Sequence, residues 1–296
     1  MDLILSSMSQ GLLWAIMAIG VYLTYRILDI ADLTAEGAYP LGAAVCATTL
    51  VNDVNPILAT LAGFVAGMGA GLISGLLHTK LKIPALLTGI VTLTGLYSIN
   101  LKIMGKANVA LLRKVTLVTM LTKQGLSKTM AVLIIGLIFV VIVIGLLTLL
   151  LKTQVGLALR STGDNIPMSE ANGVNVDRMK IYGYMLSNGL IALSGALLTQ
   201  NNGYADINSG TGTIVIGLAS VIIAEVIIRN LSIGWRLASI VLGAILYRLI
   251  ILAILEIPGM DADLVRLFSA ILLALVLFVP ELQKKFKVRP LNVTSK

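Results

Sequence analysis

The sequence predicts an all-α integral membrane protein of about eight or nine transmembrane helices, and two observations predict it. Of its 296 residues, 57% are hydrophobic and only 12% charged, with a mean hydropathy of +0.98. A soluble domain carries about 25% charged residues, and this chain has too few polar groups to cover a water-facing surface. The apolar residues also fall in runs that match a hydrocarbon core, which about 20 helical residues cross.

Nine such runs are legible: 9–28, 36–52, 56–78, 84–104, 129–151, 179–200, 212–229, 234–256 and 262–280. The uncharged run Ala131–Leu151 is the clearest. The shortest runs, such as 36–52, are candidates for broken or re-entrant helices. The chain reads as one transmembrane domain over 1–296, interrupted by a polar loop at 153–178 and closed by a basic tail at 281–296. The flank of the first run lacks Lys or Arg, carries the acidic Asp2 and precedes no A-x-A-like site, so no cleaved leader is expected.

The net charge of +8 would suit nucleic acid in a soluble protein. Here the cations stand at the ends of apolar runs, as membrane orientation requires. The lipid bilayer is therefore the expected partner, and nucleic acid is not. Placing 152–180 in the cytoplasm also puts Lys80, Lys82, Arg229, Arg236 and the tail residues Lys284, Lys285, Lys287 and Arg289 there. The N-terminus then lies outside and the C-terminus inside. Six cations stay outside, in or beside 105–128: Lys102, Lys106, Arg113, Lys114, Lys123 and Lys128.

The third run carries Gly63, Gly67, Gly71 and Gly75, each four apart. That spacing puts them on one helix face, where a second helix approaches closely. This ladder speaks for packing and is silent on function.

Chemistry is excluded more easily than assigned. One cysteine, Cys46, forms no intramolecular disulfide, and one thiol builds no metal site. With a single histidine, His78, no H-E-x-x-H motif exists, and no G-x-x-x-x-G-K-[ST] phosphate loop occurs. The chain is expected to be no enzyme and to bind no cofactor of its own.

The loop KTQVGLALRSTGDNIPMSEANGVNVDRMK, residues 152–180, is too polar to span. Asp164 or Asn165 caps a helix start, Pro167 fits its first turn and Gly173 stops it. The result is a short helix over about 165–172 that presents Ile166, Met168 and Ala171 beside Glu170, with Asn172 at its end. A plain connector needs no such mixed surface; a partner's groove does.

Gly156-Leu157, Arg160-Ser161-Thr162-Gly163, Asp164-Asn165 and Glu170 through Arg178 together resemble the coupling loop of bacterial ABC importer permeases. The likeness is to the branched-chain amino-acid and sugar permease group, and within it to the branch linked to aromatic amino acids such as tryptophan. Gly11-Leu12-Leu13, Ala18-Ile19-Gly20, Asp32-Leu33-Thr34, Glu36-Gly37 and Leu41-Gly42-Ala43 carry the same resemblance. It implies a type II-like importer permease that dimerises with an identical or related chain. It further implies two cytoplasmic ATPase subunits that hold ATP and Mg and bind through short coupling helices. An extracytoplasmic solute-binding protein would deliver the cargo. The run Ile216–Glu225 departs from the Gly-Gly-x-Gly-like pattern of many members, which leaves subfamily and solute open.

Ionisable groups inside spanning segments face cavities or partners. Asp32, Glu36, Glu225 and Arg248 are such groups, whereas Arg26 and Arg266 sit nearer segment ends and snorkel. Asp32, Thr34, Glu36, Asn201, Asn202 and Glu225 are the candidate pathway residues, although Asn201-Asn202-Gly203-Tyr204 also suits a plain turn. Ala31–Ala35 and Ala205–Ser209 share two of five residues after segments that run in opposite directions. This is read either as an inverted repeat or as two Asp helix caps. Arg113 and Lys114 are candidates to receive the binding protein's carboxylates, or lipid headgroups. An ion-coupled secondary transporter using Asp32, Glu36 or Glu225 is the competing reading, but it needs no docking helix. A scaffold without transport does not explain the buried acids.

Overall fold

The computed structural model describes residues 2–228, 232–256, 267–275 and 278. Arg229, Arg266 and the tail 281–296 lie outside the described residues, as does part of the run 262–280. The long helices are α1 (Asp2–Tyr22, prolonged by a π-helical turn Leu23–Ile27), α2 (Ala35–Val51), α3 (Pro56–Thr79) and α4 (Ala85–Met104). After a strand β1 (Asn108–Ala110) and a short α5 (Leu117–Thr122) comes α6 (Lys128–Lys152). Two polar helices follow, α7 (Gln154–Asp164) and α8 (Ile166–Ala171). The chain then runs through α9 (Val176–Asn202), β2 (Tyr204–Asp206), a 3₁₀ turn (Ile207–Gly210), α10 (Thr213–Ile227) and α11 (Ile233–Leu255).

Among the described residues, seven helices are long and apolar enough to cross a membrane, with Ile207–Ile227 taken as one span. The segment 36–52 is the 17-residue α2, and the run 262–280 is described as helix only over 267–275 and at 278. Seven of the nine expected runs therefore correspond to such helices among the described residues.

The local signals work as chemistry predicts. Asn55 accepts a hydrogen bond from the Ile57 N–H, with Pro56 in the first turn of α3. Ser127 caps α6 by accepting from Met130. Gly105 and Gly203 stop α4 and α9 in the left-handed region, at φ 68° and 79°.

β1 and β2 pair antiparallel, with Val109 opposite Ala205, so the ends of α4 and α9 lie at one end of the bundle. We call this the hairpin end and the opposite one the α8 end. α9 is the central helix. α1 runs antiparallel to it: Ser194 Oγ donates to the Leu13 carbonyl at 2.8 Å and Ser187 Oγ to that of Gly20 at 2.7 Å. α3 lies along its other side, and the glycine ladder is the seam. A Cβ on Gly63 would lie 3.0 Å from the Gly42 oxygen, and one on Gly75 would lie 2.9 Å from the Ile181 Cα. On Gly67 and Gly71 it would run into Ala192, Asn188 and Tyr184. The helices thus meet backbone to backbone, which in lipid replaces the hydrophobic drive that water would supply.

The packing repeats in inverted form. α3 packs on α9 as α11 packs on α1, α2 on α9 as α10 on α1, and α2 on α3 as α10 on α11. α2 and α10 both begin inside the bundle after an approach that is not α-helical, from opposite ends. Both approaches carry the same turn: Asp32 accepts from the Thr34 N–H and Asp206 from the Asn208 N–H, each at 2.9 Å. Thr34, and not Asp32, is the residue at the start of α2, so the shared feature is an Asx turn; only Asp206 precedes its helix directly.

Gly69 shares α3 with the ladder but would meet nothing with a Cβ. Gly71→Ala should therefore cost about 1–3 kcal/mol through overpacking. Gly69→Ala should be neutral or stabilise by up to about 1 kcal/mol. Thermal unfolding of both variants in detergent checks this, and equal shifts would refute the seam.

Candidate functional site

Three polar constellations stand out in a bundle otherwise built of Leu, Ile, Val and Ala. The first surrounds Asp32, which is 9% exposed. Its Oδ1 accepts from the Thr34 N–H and its Oδ2 from Asn188 Nδ2 on α9 at 2.7 Å. The same Asn188 amide donates to the Tyr184 carbonyl at 3.0 Å. Thr34 Oγ1 meets Ser74 Oγ at 2.8 Å, and Ser74 donates to Thr92 at 3.0 Å. One chain of hydrogen bonds so ties the start of α2 to α9, α3 and α4. Asn188 Oδ1 and the Tyr184 hydroxyl are buried without a partner.

The second lies on the exposed side of α4. Glu36, in the first turn of α2, accepts from the Gly212 N–H at 3.0 Å, where α10 begins. Pro40 has no N–H for the Glu36 carbonyl, and Gly210 packs against both residues. Asn100 Nδ2 donates to the Gly37 carbonyl at 3.2 Å, and its Oδ1 is buried without a partner. These groups line a groove of about 380 Å³ with Thr94, Tyr97, Ser98, Asn208 and Thr211.

The third is the α8 end. Asn165 accepts from the Met168 N–H at 3.0 Å and is the cap of α8. Asp164 ends α7 instead. Pro167 stands in the first turn and Gly173 turns the chain at φ 78°. Ile166 and Met168 are 40% and 65% exposed, beside exposed Glu170, Ala171 and Asn172, while Ser169 faces inward. Exposed Val155 and Leu157 on α7 and Tyr182 on α9 share this end. The helices that flank α8 are anchored from beneath: Gly163 of α7 packs on Ile27 and Leu28, and Gly183 of α9 on Leu28.

A family model described as branched-chain amino acid transport system / permease component matches residues 3–279, nearly the whole chain. The chain belongs to that permease family. It is 41% identical over 270 residues to the tyrosine transport system permease protein of Clostridioides difficile, covering 91% of this chain and 88% of that protein. It is 34% identical over 285 residues to an uncharacterized protein, RP368, of Rickettsia prowazekii, covering 94% and 96%. The autoinducer 2 import system permease protein LsrC of Yersinia enterocolitica is 27% identical over 286 residues, covering 93% and 74%. No solved structure matches the chain.

The permease divides the six candidate pathway residues among four places. Asp32 and Thr34 belong to the buried network and Glu36 to the α4 groove. Asn201 is buried at the hairpin end, and exposed Asn202 borders clefts of about 300 and 210 Å³ there. Glu225 stands at the α8 end, where Arg26 Nε meets its Oε1 at 2.9 Å. That position separates it from the other acids, and as a partly exposed pair it adds little stability. Lys114 Nζ is held by Asp53 Oδ1 at 2.8 Å, whereas Arg113 is exposed with φ 63°.

The residues that sequence reasoning missed are uncharged amides. Asn188 and Asn100 carry no motif. Gln200 donates to Thr60 Oγ1 at 2.7 Å and accepts from the Leu117 N–H at 2.9 Å, which joins α9, α3 and α5. Asn188 stands in mid-span of α9, where a polar side chain in lipid needs a partner, whereas Asn100 and Gln200 lie near the ends of α4 and α9 and carry no such signal. Arg248, singled out as an intramembrane cation, donates to Gln10 and sits over the Trp14 ring, 5.8 Å from its centroid.

Removing Asn188 strips Asp32 of its side-chain donor and leaves a buried carboxylate short of partners. Asn188→Leu should destabilise the permease by about 3–5 kcal/mol. The double variant Asp32→Leu, Asn188→Leu should recover part of that loss. Unfolding in detergent checks the pair; additive losses would show that the two side chains do not depend on each other.

Proposed function

We propose that this permease is the membrane subunit of an ATP-driven importer for an amino acid, aromatic in preference to sugar, in a bacterial cytoplasmic membrane. The observation that carries the reading is the α8 surface: a six-residue capped helix that exposes Met168 and Ile166 at one end of a membrane bundle. Within the permease itself this helix buries nothing but Ser169, so its exposed face is available to a partner. ATPase subunits bind there and hold the ATP and Mg. Nucleotide-driven closure of the ATPase pair moves α8, and through Ile27 and Leu28 it moves the start of the approach to α2.

The α8 end is then cytoplasmic. Among the described residues it carries Arg26, Lys80, Lys82, Lys152, Arg160, Arg178, Lys180 and Arg236, against six cations at the hairpin end. The N-terminus is outside, and the C-terminus falls on the cytoplasmic side. The hairpin end receives the solute-binding protein, with Arg113 offered to a carboxylate while Lys114 is occupied by Asp53. A second permease chain completes the unit. The amino-acid preference rests on the relative named for tyrosine transport, which is more similar than the autoinducer 2 permeases.

The test uses the permease co-expressed with the ATPase and binding protein encoded beside it. Met168→Asp puts a charge into an apolar contact and should abolish co-purification of the ATPase while leaving the permease's melting temperature within about 2 °C of the parent. Arg113→Glu should weaken binding-protein association several-fold at low salt and less at high salt. An ATPase that stays bound to the Met168→Asp permease would overturn the docking assignment.

A further inference from the structure

The α4 groove is the least expected polar feature of the surface. α4 otherwise shows lipid-compatible side chains: Leu86, Leu87, Ile90 and Val91 are each more than 40% exposed. One to two turns further on, Thr94, Tyr97 and Ser98 are exposed on the same helix, and Asn100 is buried behind them. Polar side chains facing hydrocarbon are costly and mark a partner or a water-filled path. Glu36 stands opposite them, partly exposed in mid-bundle.

The chemistry of the lining has one sign. No Lys or Arg borders the groove. It offers the Glu36 carboxylate, which among the described residues is met only by the Gly212 N–H. It also offers Asn100 Oδ1, buried and unpartnered in a residue that is 1% exposed, together with several hydroxyls and the face of Tyr97. Asn100 Oδ1 thus stands behind the groove wall as a buried acceptor without a partner, which a donor entering there would satisfy. At about 380 Å³ the space lies within the range of small-molecule sites.

The geometry points to a transient site for the ammonium group of an amino acid, held by Glu36 with the unpartnered Asn100 Oδ1 behind it and its side chain beside Tyr97. This rests on the importer reading above and deepens it, because a binding protein would deliver the zwitterion and the groove would engage its cationic end. A single carboxylate shared with a helix start holds such a group weakly, as a path that must release its cargo requires. The groove then selects against solutes that lack the ammonium.

The test uses the permease–ATPase complex in nanodiscs with single Thr94→Cys or Ser98→Cys substitutions. The native Cys46 is fully buried and serves as the silent background. Labelling rates are measured with trimethylammonioethyl and sulfonatoethyl methanethiosulfonate, each normalised to its rate with free mercaptoethanol. Both positions should react, with the cationic reagent favoured roughly tenfold by the nearby carboxylate. Glu36→Gln keeps an acceptor for the Gly212 N–H and should bring the normalised ratio to about one. Millimolar L-tyrosine should slow labelling, 3-(4-hydroxyphenyl)propionate should not, and Glu36→Gln should remove the difference. No reaction with either reagent overturns the site, as does an unchanged ratio in Glu36→Gln or equal protection by both solutes. ATPase stimulation by loaded binding protein, measured on the same samples, separates the two claims. Its loss with the labelling pattern intact removes the importer reading alone; its presence with the pattern absent removes the site alone.

Discussion

A backbone polar group inside a bilayer has no water to turn to, and this permease starts two helices there. The unpaired N–H groups at those starts must be met by the protein itself. Asp32 does this beside α2, through the Thr34 N–H, and Glu36 does it for α10, through the Gly212 N–H. Each acid is then fixed by what surrounds it. Asn188 on α9 holds Asp32, and the backbone of Gly210 fills the space beside Pro40 so that Gly212 reaches Glu36. The close approach of α2 and α3 to α9, made possible by small residues, places these partners within hydrogen-bonding distance.

The inverted arrangement follows from the same constraint. A helix that begins in mid-membrane spans only part of the thickness, so the approach segment must supply the rest. Residues 28–34 do so from the α8 end and residues 203–212 from the hairpin end. Moving either approach moves a helix start, and 28–34 leads directly from Ile27 and Leu28, on which Gly163 of α7 packs. On the proposed docking, a displacement of α7 and α8 by an ATPase would be transmitted towards Glu36 and the groove without any side chain crossing the bundle.

Much of this was legible in the sequence. The spans came from apolar run length, and the glycine ladder came from its spacing of four. The α8 helix came from a local signal, Asn165 before Pro167 and Gly173 after, which needs no tertiary information. The repeat was visible in Ala31-Asp32 and Ala205-Asp206, although only the inverted helix packing distinguished it from two ordinary caps. What escaped was long-range pairing. Asp32 meets Asn188 and Glu36 meets Gly212 across more than 150 residues. Nothing local in Asn100 or Gln200 distinguishes a buried amide from a surface one, and the mid-span position of Asn188 does not name its partner. Glu225 looked like an intramembrane acid because its apolar run continues past it, yet Arg26 holds it at the helix end. Lys114 looked free until the left-handed turn at Arg113 brought it to Asp53.

The account makes the permease a conduit whose energy comes from elsewhere, and uptake by the reconstituted system tests that most directly. Liposomes containing the permease and its ATPase, with the binding protein outside and radiolabelled tyrosine as the first solute, would be assayed with and without enclosed ATP. The predicted result is accumulation that requires both ATP and the binding protein and persists when ionophores collapse the proton and sodium gradients. Accumulation by the permease alone, driven by an ion gradient and indifferent to ATP, would contradict it.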